Sequence, residues 1–125
     1  MTEEDRNLEA VKRWAHLYNT DVHRMVDESY STKAEVHAMG LLVIKDPDTF
    51  HGAEAAVLKA APDRQARIER TIAKGNTVVV EAVLFGTDKN TEKTWETPWC
   101  AILTFKDGKI ISDHTYLDQT KWPGL

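Results

Sequence analysis

Apolar residues recur at Leu8, Val11, Trp14, Ala15 and Tyr18 along "TEEDRNLEAVKRWAHLY". Steps of three and four line one face of a helix, and acids fill the first turn, where they complement the helix dipole. "NTD" breaks the pattern, and Asp21 is placed to cap a short second helix, "VHRMVDESY", in which Val22, Met25, Val26 and Tyr30 share a side. "AEVHAMG" reads as a short strand ended by Gly40, and the following "LLVIKDPDTF" is apolar, then turn-rich at Asp46, Pro47 and Asp48. Strong helix formers in "GAEAAVLKAA", stopped before Pro62, predict a third helix.

After Pro62 the chain is extended in character. "RQARIERTIAKGN", "TVVVEAVLFGT", "TWETPWCAILTFKDG" and "KIISDHTYLD" are rich in β-branched or aromatic residues, with turn signals at Gly75-Asn76, Asp88 to Asn90 and Asp107-Gly108. Helices followed by an antiparallel meander predict an α+β domain over residues 1–125, with three N-terminal helices on one face of a strongly curved, mostly antiparallel sheet. Strict alternation puts Ile111, Asp113, Thr115 and Leu117 on one face of the last strand and Ser112, His114, Tyr116 and Asp118 on the other. Val78 to Phe85 is apolar on both faces, which predicts a homodimer through the sheet.

Composition narrows the partners. Twenty acidic residues outnumber sixteen Lys and Arg, for a net charge of −4, and no basic stripe marks a nucleic-acid surface. The short basic runs at Lys12 ("KRW") and Arg64 ("RQARIER") read as solvated faces. The single cysteine, Cys100, leaves no internal disulfide or zinc cluster and reads as a strand residue of an intracellular protein. "MTEEDRNLEA" has no signal-peptide pattern and no window suits a membrane span, so the expected location is cytoplasmic. His23, Asp27 and His37 lack the spacing of a catalytic metal site; a phosphate loop and a serine elbow are absent, and no cofactor is expected. Trp122 and Leu125 in the tail read as an apolar plug or a dimer contact.

The long helix, "NTD", a strand running into "AMG", "FHGAEAAV" and a ladder closing with "FKDGKIISDHTYLD" resemble, over nearly the whole chain, a cone-shaped family. It is the family of nuclear transport factor 2, ketosteroid isomerase and SnoaL-like polyketide cyclases. "HGAEA" and "DGKI…YLD" carry the resemblance most specifically. It implies a deep pocket between sheet and helices, lined by apolar and aromatic side chains. Carried over position by position, the isomerase's general base falls on His37, a competent base at neutral pH. Its oxyanion tyrosine falls on Trp14, with Tyr18 one turn later as the better donor, and its second oxyanion acid falls on Ala101, aligned through Phe105. Both departures argue against the isomerase reaction itself.

In related cyclases and in limonene epoxide hydrolase an inward acid opens the ending; here that slot holds Thr115, and Asp113 supplies an acid two residues earlier on the same face. Asp113 is therefore expected to point into the cone and either pair with a group such as His37 or carry a raised pKa. The expected site thus has His37 and Asp113 as catalytic groups, and Trp14, Tyr18, Met39, His51, Trp99, Ala101, Leu103, Phe105 and Thr115 around the substrate. His51 reads either as a pocket-mouth residue or as the start of a turn; His16, His23 and His114 read as surface or interface residues. Glu81 faces either the cavity or an interface.

The resemblance implies a cofactor-free acid/base enzyme acting on a small apolar cyclic, polyketide-like or steroid-like molecule, of isomerase, cyclase, dehydratase or epoxide hydrolase type. The substitutions at Trp14, Ala101 and Thr115 support the alternative of a non-catalytic small-molecule-binding or accessory protein with the same fold, and a protein-interaction module is a third reading.

Overall fold

The computed structural model describes residues 1–38 and 42–121. Helix α1 (Glu3–Thr20) opens with a capping box: Thr2 Oγ1 accepts from the Asp5 N–H, and the Asp5 carboxylate accepts from the Thr2 N–H. Its buried stripe is Val11, Trp14, Leu17 and Tyr18. Asp21 ends α1 and caps α2 (Val22–Ser29) by accepting from the Arg24 N–H. Strand β1 (Tyr30–Ala38) and β2 (Leu42–Ile44) come next, then α3 (Pro47–Ala60).

The Asp46-Pro47-Asp48 run, expected to be a turn, starts α3. Asp46 accepts from the Thr49 N–H at 2.7 Å and Pro47 occupies the first turn, where a missing N–H costs nothing. α3 therefore begins five residues before the Gly52 that opens the predicted helix.

Strands β3 (Gln65–Lys74), β4 (Thr77–Thr87), β5 (Thr94–Lys106) and β6 (Lys109–Leu117) form the expected meander, followed by a 3-10 turn (Gln119–Lys121). The curved sheet runs β2-β1-β6-β5-β4-β3, and its one parallel neighbour pair is β1 with β6. That pairing sets Val36 beside Asp113, His37 beside His114 and Ala38 beside Thr115.

A bulge between β5 and β6 changes the expected parity. Ile110 pairs with Phe105 and Ser112 with Thr104, which leaves Ile111 as the extra residue. Ile110 is 0% exposed and Ile111 36%, so Ile110 takes the inward place expected of Ile111, while Asp113 keeps its own.

The core lies between the helices and the inner sheet face, where Val78, Val80, Ala82 and Leu84 meet Ala101, Leu103, Phe105 and Ile110. Glu81 faces outward and accepts from Arg70 Nη2 at 3.2 Å, which answers its orientation. Among the described residues no helix is long and apolar enough to cross a membrane.

Candidate functional site

Between the inner face and the helices lies a cavity of about 270 Å³. Rings of Trp14, Tyr18, Tyr30, Phe50 and Trp99 stand in its wall, with Met25, Val36, Ile44, Val57 and Leu84 between them. Asp113, Thr115 and Glu54 bring polar groups into this apolar lining.

Asp113 is 2% exposed. Tyr30 Oη donates to its Oδ2 at 2.6 Å and Thr115 Oγ1 donates to its Oδ1 at 2.7 Å. Trp14 Nε1 in turn donates to Tyr30 Oη at 3.1 Å, so three residues are oriented by one carboxyl group. Tyr30 is where α2 gives way to β1, and its extended backbone carries the ring edge-on to Phe50 at 4.8 Å. Burial pushes the Asp113 pKa up; the bonds from Tyr30 and Thr115 pull it down without cancelling the rise, and the negative charge of Glu54 adds to it. Burial, then the neighbouring Asp113, push the Tyr30 hydroxyl well above the usual phenol value.

A second polar group sits across α1 and α3. Arg64 Nη1 donates to Glu54 Oε2 at 2.5 Å, and the guanidinium lies 4.1 Å from the centroid of the Tyr18 ring. Tyr18 packs its other neighbour, Trp99, at 5.6 Å, and its hydroxyl has no hydrogen-bond partner among the described residues. Burial raises the Tyr18 pKa, against the opposing pull of Arg64, so the hydroxyl is a neutral donor at physiological pH.

The sequence profile of the SnoaL-like domain matches residues 11–112. The chain belongs to the SnoaL-like family. Three solved structures share this SnoaL-like fold. One is a protein assigned as a SnoaL-like polyketide cyclase from Jannaschia sp., at TM-score 0.86 and 17% identity, covering 96% of this chain and 90% of that one. A second, from Catenulispora acidiphila, has a ketosteroid isomerase-like fold and was solved with trimethylamine; it gives TM-score 0.83 and 17% identity over 91% and 88% of the two chains. An LEH-like epoxide hydrolase from M. tuberculosis gives TM-score 0.80 and 16% identity over 97% and 89%. Compared with curated proteins, the chain has no match.

Within this SnoaL-like domain the cavity brings together Asp113, Trp14, Tyr18, Trp99 and Thr115. Trp14 contributes its ring alone, because its N–H is committed to Tyr30. Ala101, Leu103 and Phe105 face the same way but are buried in the core and do not line the cavity.

His37 is corrected: it stands on the outer face, stacked on His114 with centroids 4.6 Å apart and 3.7 Å from Glu35. The parallel register pairs inward Asp113 with Val36 and outward His37 with His114, so the expected His37–Asp113 pair does not form. His51 is corrected as well. It lies outside the cavity on α3, with Nδ1 2.7 Å from His23 Nδ1 and Nε2 2.8 Å from Asp27 Oδ1. Met39, Trp122 and Leu125 lie outside the described residues. Asp118 serves a turn, accepting from the N–H and hydroxyl of Thr120.

Three residues escaped the sequence reading: Tyr30, Glu54 and Arg64. Arg64, read as solvated, has a fully buried side chain. Glu54 left a signal, since steps of four and three from Phe50 to Val57 place it on the buried stripe of α3. For Tyr30 only its inward side was legible, because its bond to Asp113 depends on a strand 83 residues away.

Proposed function

We propose that this SnoaL-like domain is an acid/base enzyme acting on a small apolar ring compound, with Asp113 moving the proton. The observation that carries this reading is the Asp113 carboxyl group, buried in an aromatic cavity, fixed on both oxygens and raised in pKa. A carboxylate made more basic by burial takes a proton from a carbon next to a carbonyl. The electron pair of that C–H bond forms a C=C bond to the carbonyl carbon, and the C=O π pair moves to the oxygen, which accepts a hydrogen bond from the Tyr18 hydroxyl. Asp113 then returns the proton to carbon, at the same or a conjugated position, or the enolate carbon attacks a second carbonyl and closes a ring, the first carbonyl re-forming while the second carbonyl's π pair moves to its oxygen, which takes the proton from Asp113. Solved neighbours named as a polyketide cyclase and an epoxide hydrolase lend this class support, while the substrate rests on the cavity itself.

Size supports a compact substrate. A cavity of about 270 Å³ is not quite twice the roughly 150 Å³ that accommodates benzene, which suits one or two fused rings. The chemistry as drawn calls on no cofactor.

The test is hydrogen exchange at C2 of 1-tetralone in D2O, followed by NMR. The wild type should exceed the buffer rate, and Asp113→Asn should lose roughly 10²- to 10⁴-fold of that excess. One observation favours the alternative of a carrier: both Asp113 oxygens already accept from the protein, as a purely structural carboxylate would. Tight tetralone binding with exchange no faster than buffer would establish the carrier instead. A homodimer through the outer sheet face completes the proposal, its support being the apolar residues on that face.

A further inference from the structure

Glu54 presents an unfinished hydrogen-bonding group to the cavity. Its Oε2 is bound to Arg64, but Oε1 has no partner among the described residues, and the side chain, 15% exposed, is part of the cavity lining. Arg64 is sealed behind it at 0% exposure, under the Tyr18 ring, with Nε and Nη2 also unpartnered among the described residues. A buried ion pair of this kind is weak evidence for stability, since apolar residues of similar volume often serve the fold as well. Its geometric effect is definite: it fixes one carboxylate that has an unpartnered oxygen in the lining of a largely apolar cavity.

A plain ketone filling this space would strip water from that oxygen and offer nothing in return, a cost that a hydroxyl on the ligand removes by donating to it. The asymmetry resembles any pocket built to bind a substrate hydroxyl, in which the analogue lacking it is rejected strongly. We infer that Glu54, fixed by Arg64, is a specificity residue that selects apolar ring ligands bearing a hydroxyl group, so that the substrate class is hydroxylated cyclic ketones. The inference rests on the cavity being the binding site proposed above and does not need Asp113 to be catalytic.

The test is a binding series read by quenching of Trp14 and Trp99 fluorescence. The probes are 1-tetralone and its 5-, 6- and 7-hydroxy derivatives. At least one hydroxy compound should bind the wild type about tenfold or more tighter than the parent. Glu54→Ala alone would strand a buried guanidinium and threaten folding. The informative variant is Glu54→Leu with Arg64→Met, in which the preference should fall to about one. Asp113→Asn should lose the exchange reaction yet keep the preference, which separates this inference from the catalytic proposal. Equal affinity of all four compounds for the wild type, no binding of any, or a preference that survives in the double variant would overturn it. Should the double variant not fold, the wild-type series decides alone.

Discussion

Asp113 carries a pH signature of definite sign. A carboxyl whose pKa is higher in the folded than in the unfolded chain binds more protons when folded. Its contribution is fully present below the ordinary carboxylate pKa and is lost as pH rises through the folded value, at about 1.4 kcal/mol per unit of rise. Urea unfolding should therefore show wild-type stability declining upward from the ordinary carboxylate range, and Asp113→Asn should flatten that decline; an unchanged slope would remove Asp113 as its source. Tyr30→Phe takes away a donor to the charged form, so the acidic limb of the exchange rate, where Asp113 ionises, should move to higher pH, with a stability loss of about 1–3 kcal/mol. Alternation along one strand was enough to place Asp113 inward from sequence. The same rule misplaced Ile111 because of the bulge, and His37 was set by a parallel pairing that no local pattern records.

At the scale of elements, patterns within one segment were legible and their junctions were not. The run Thr77–Thr87 is the strand that its β-branched and aromatic residues between turn signals predict, residue for residue. α3 was shortened because Asp-Pro-Asp reads equally as a turn and as a helix start; Asp46 decides it by its bond to Thr49. Asp46→Ala should cost about 1 kcal/mol in chemical unfolding. Because α3 delivers Phe50, Glu54 and Val57 to the cavity, the same change should also weaken tetralone binding, while an equal loss of stability on a strand remote from α3 should not. Leu103, fully buried on β5 outside the cavity, gives the contrasting case: Leu103→Ala should cost about 2–5 kcal/mol with little effect on binding.

At the scale of the whole molecule, register joins outward residues into one row across all six strands, from Ile72 through Val79, Ile102, His114 and His37 to Val43. Ile72 is 56% exposed and Val43 50%, apolar ends of a row, with Val79 and Ile102 between them and two stacked histidines, that a second copy would cover. Sedimentation equilibrium at micromolar concentration should give twice the 14.2 kDa chain mass, and the chain mass itself would sink the dimer. The cone and its layers were legible because the three helices all fall before Pro62 and a run of four strands follows it; the cavity's polar groups were not, because they come from helix, junction and strand residues far apart in the chain. The contact between Tyr30 and Asp113 closes a loop of 83 residues, and the strands that hold it, β1 and β6, are the first and last in chain order but neighbours in the sheet. Loop closure of that span must precede its reward, which slows folding relative to local contacts. During synthesis the pocket has no carboxyl partner for Tyr30 until β6 has left the ribosome, so a chain halted after β5 should carry the helices and the β3–β5 part of the meander yet bind nothing.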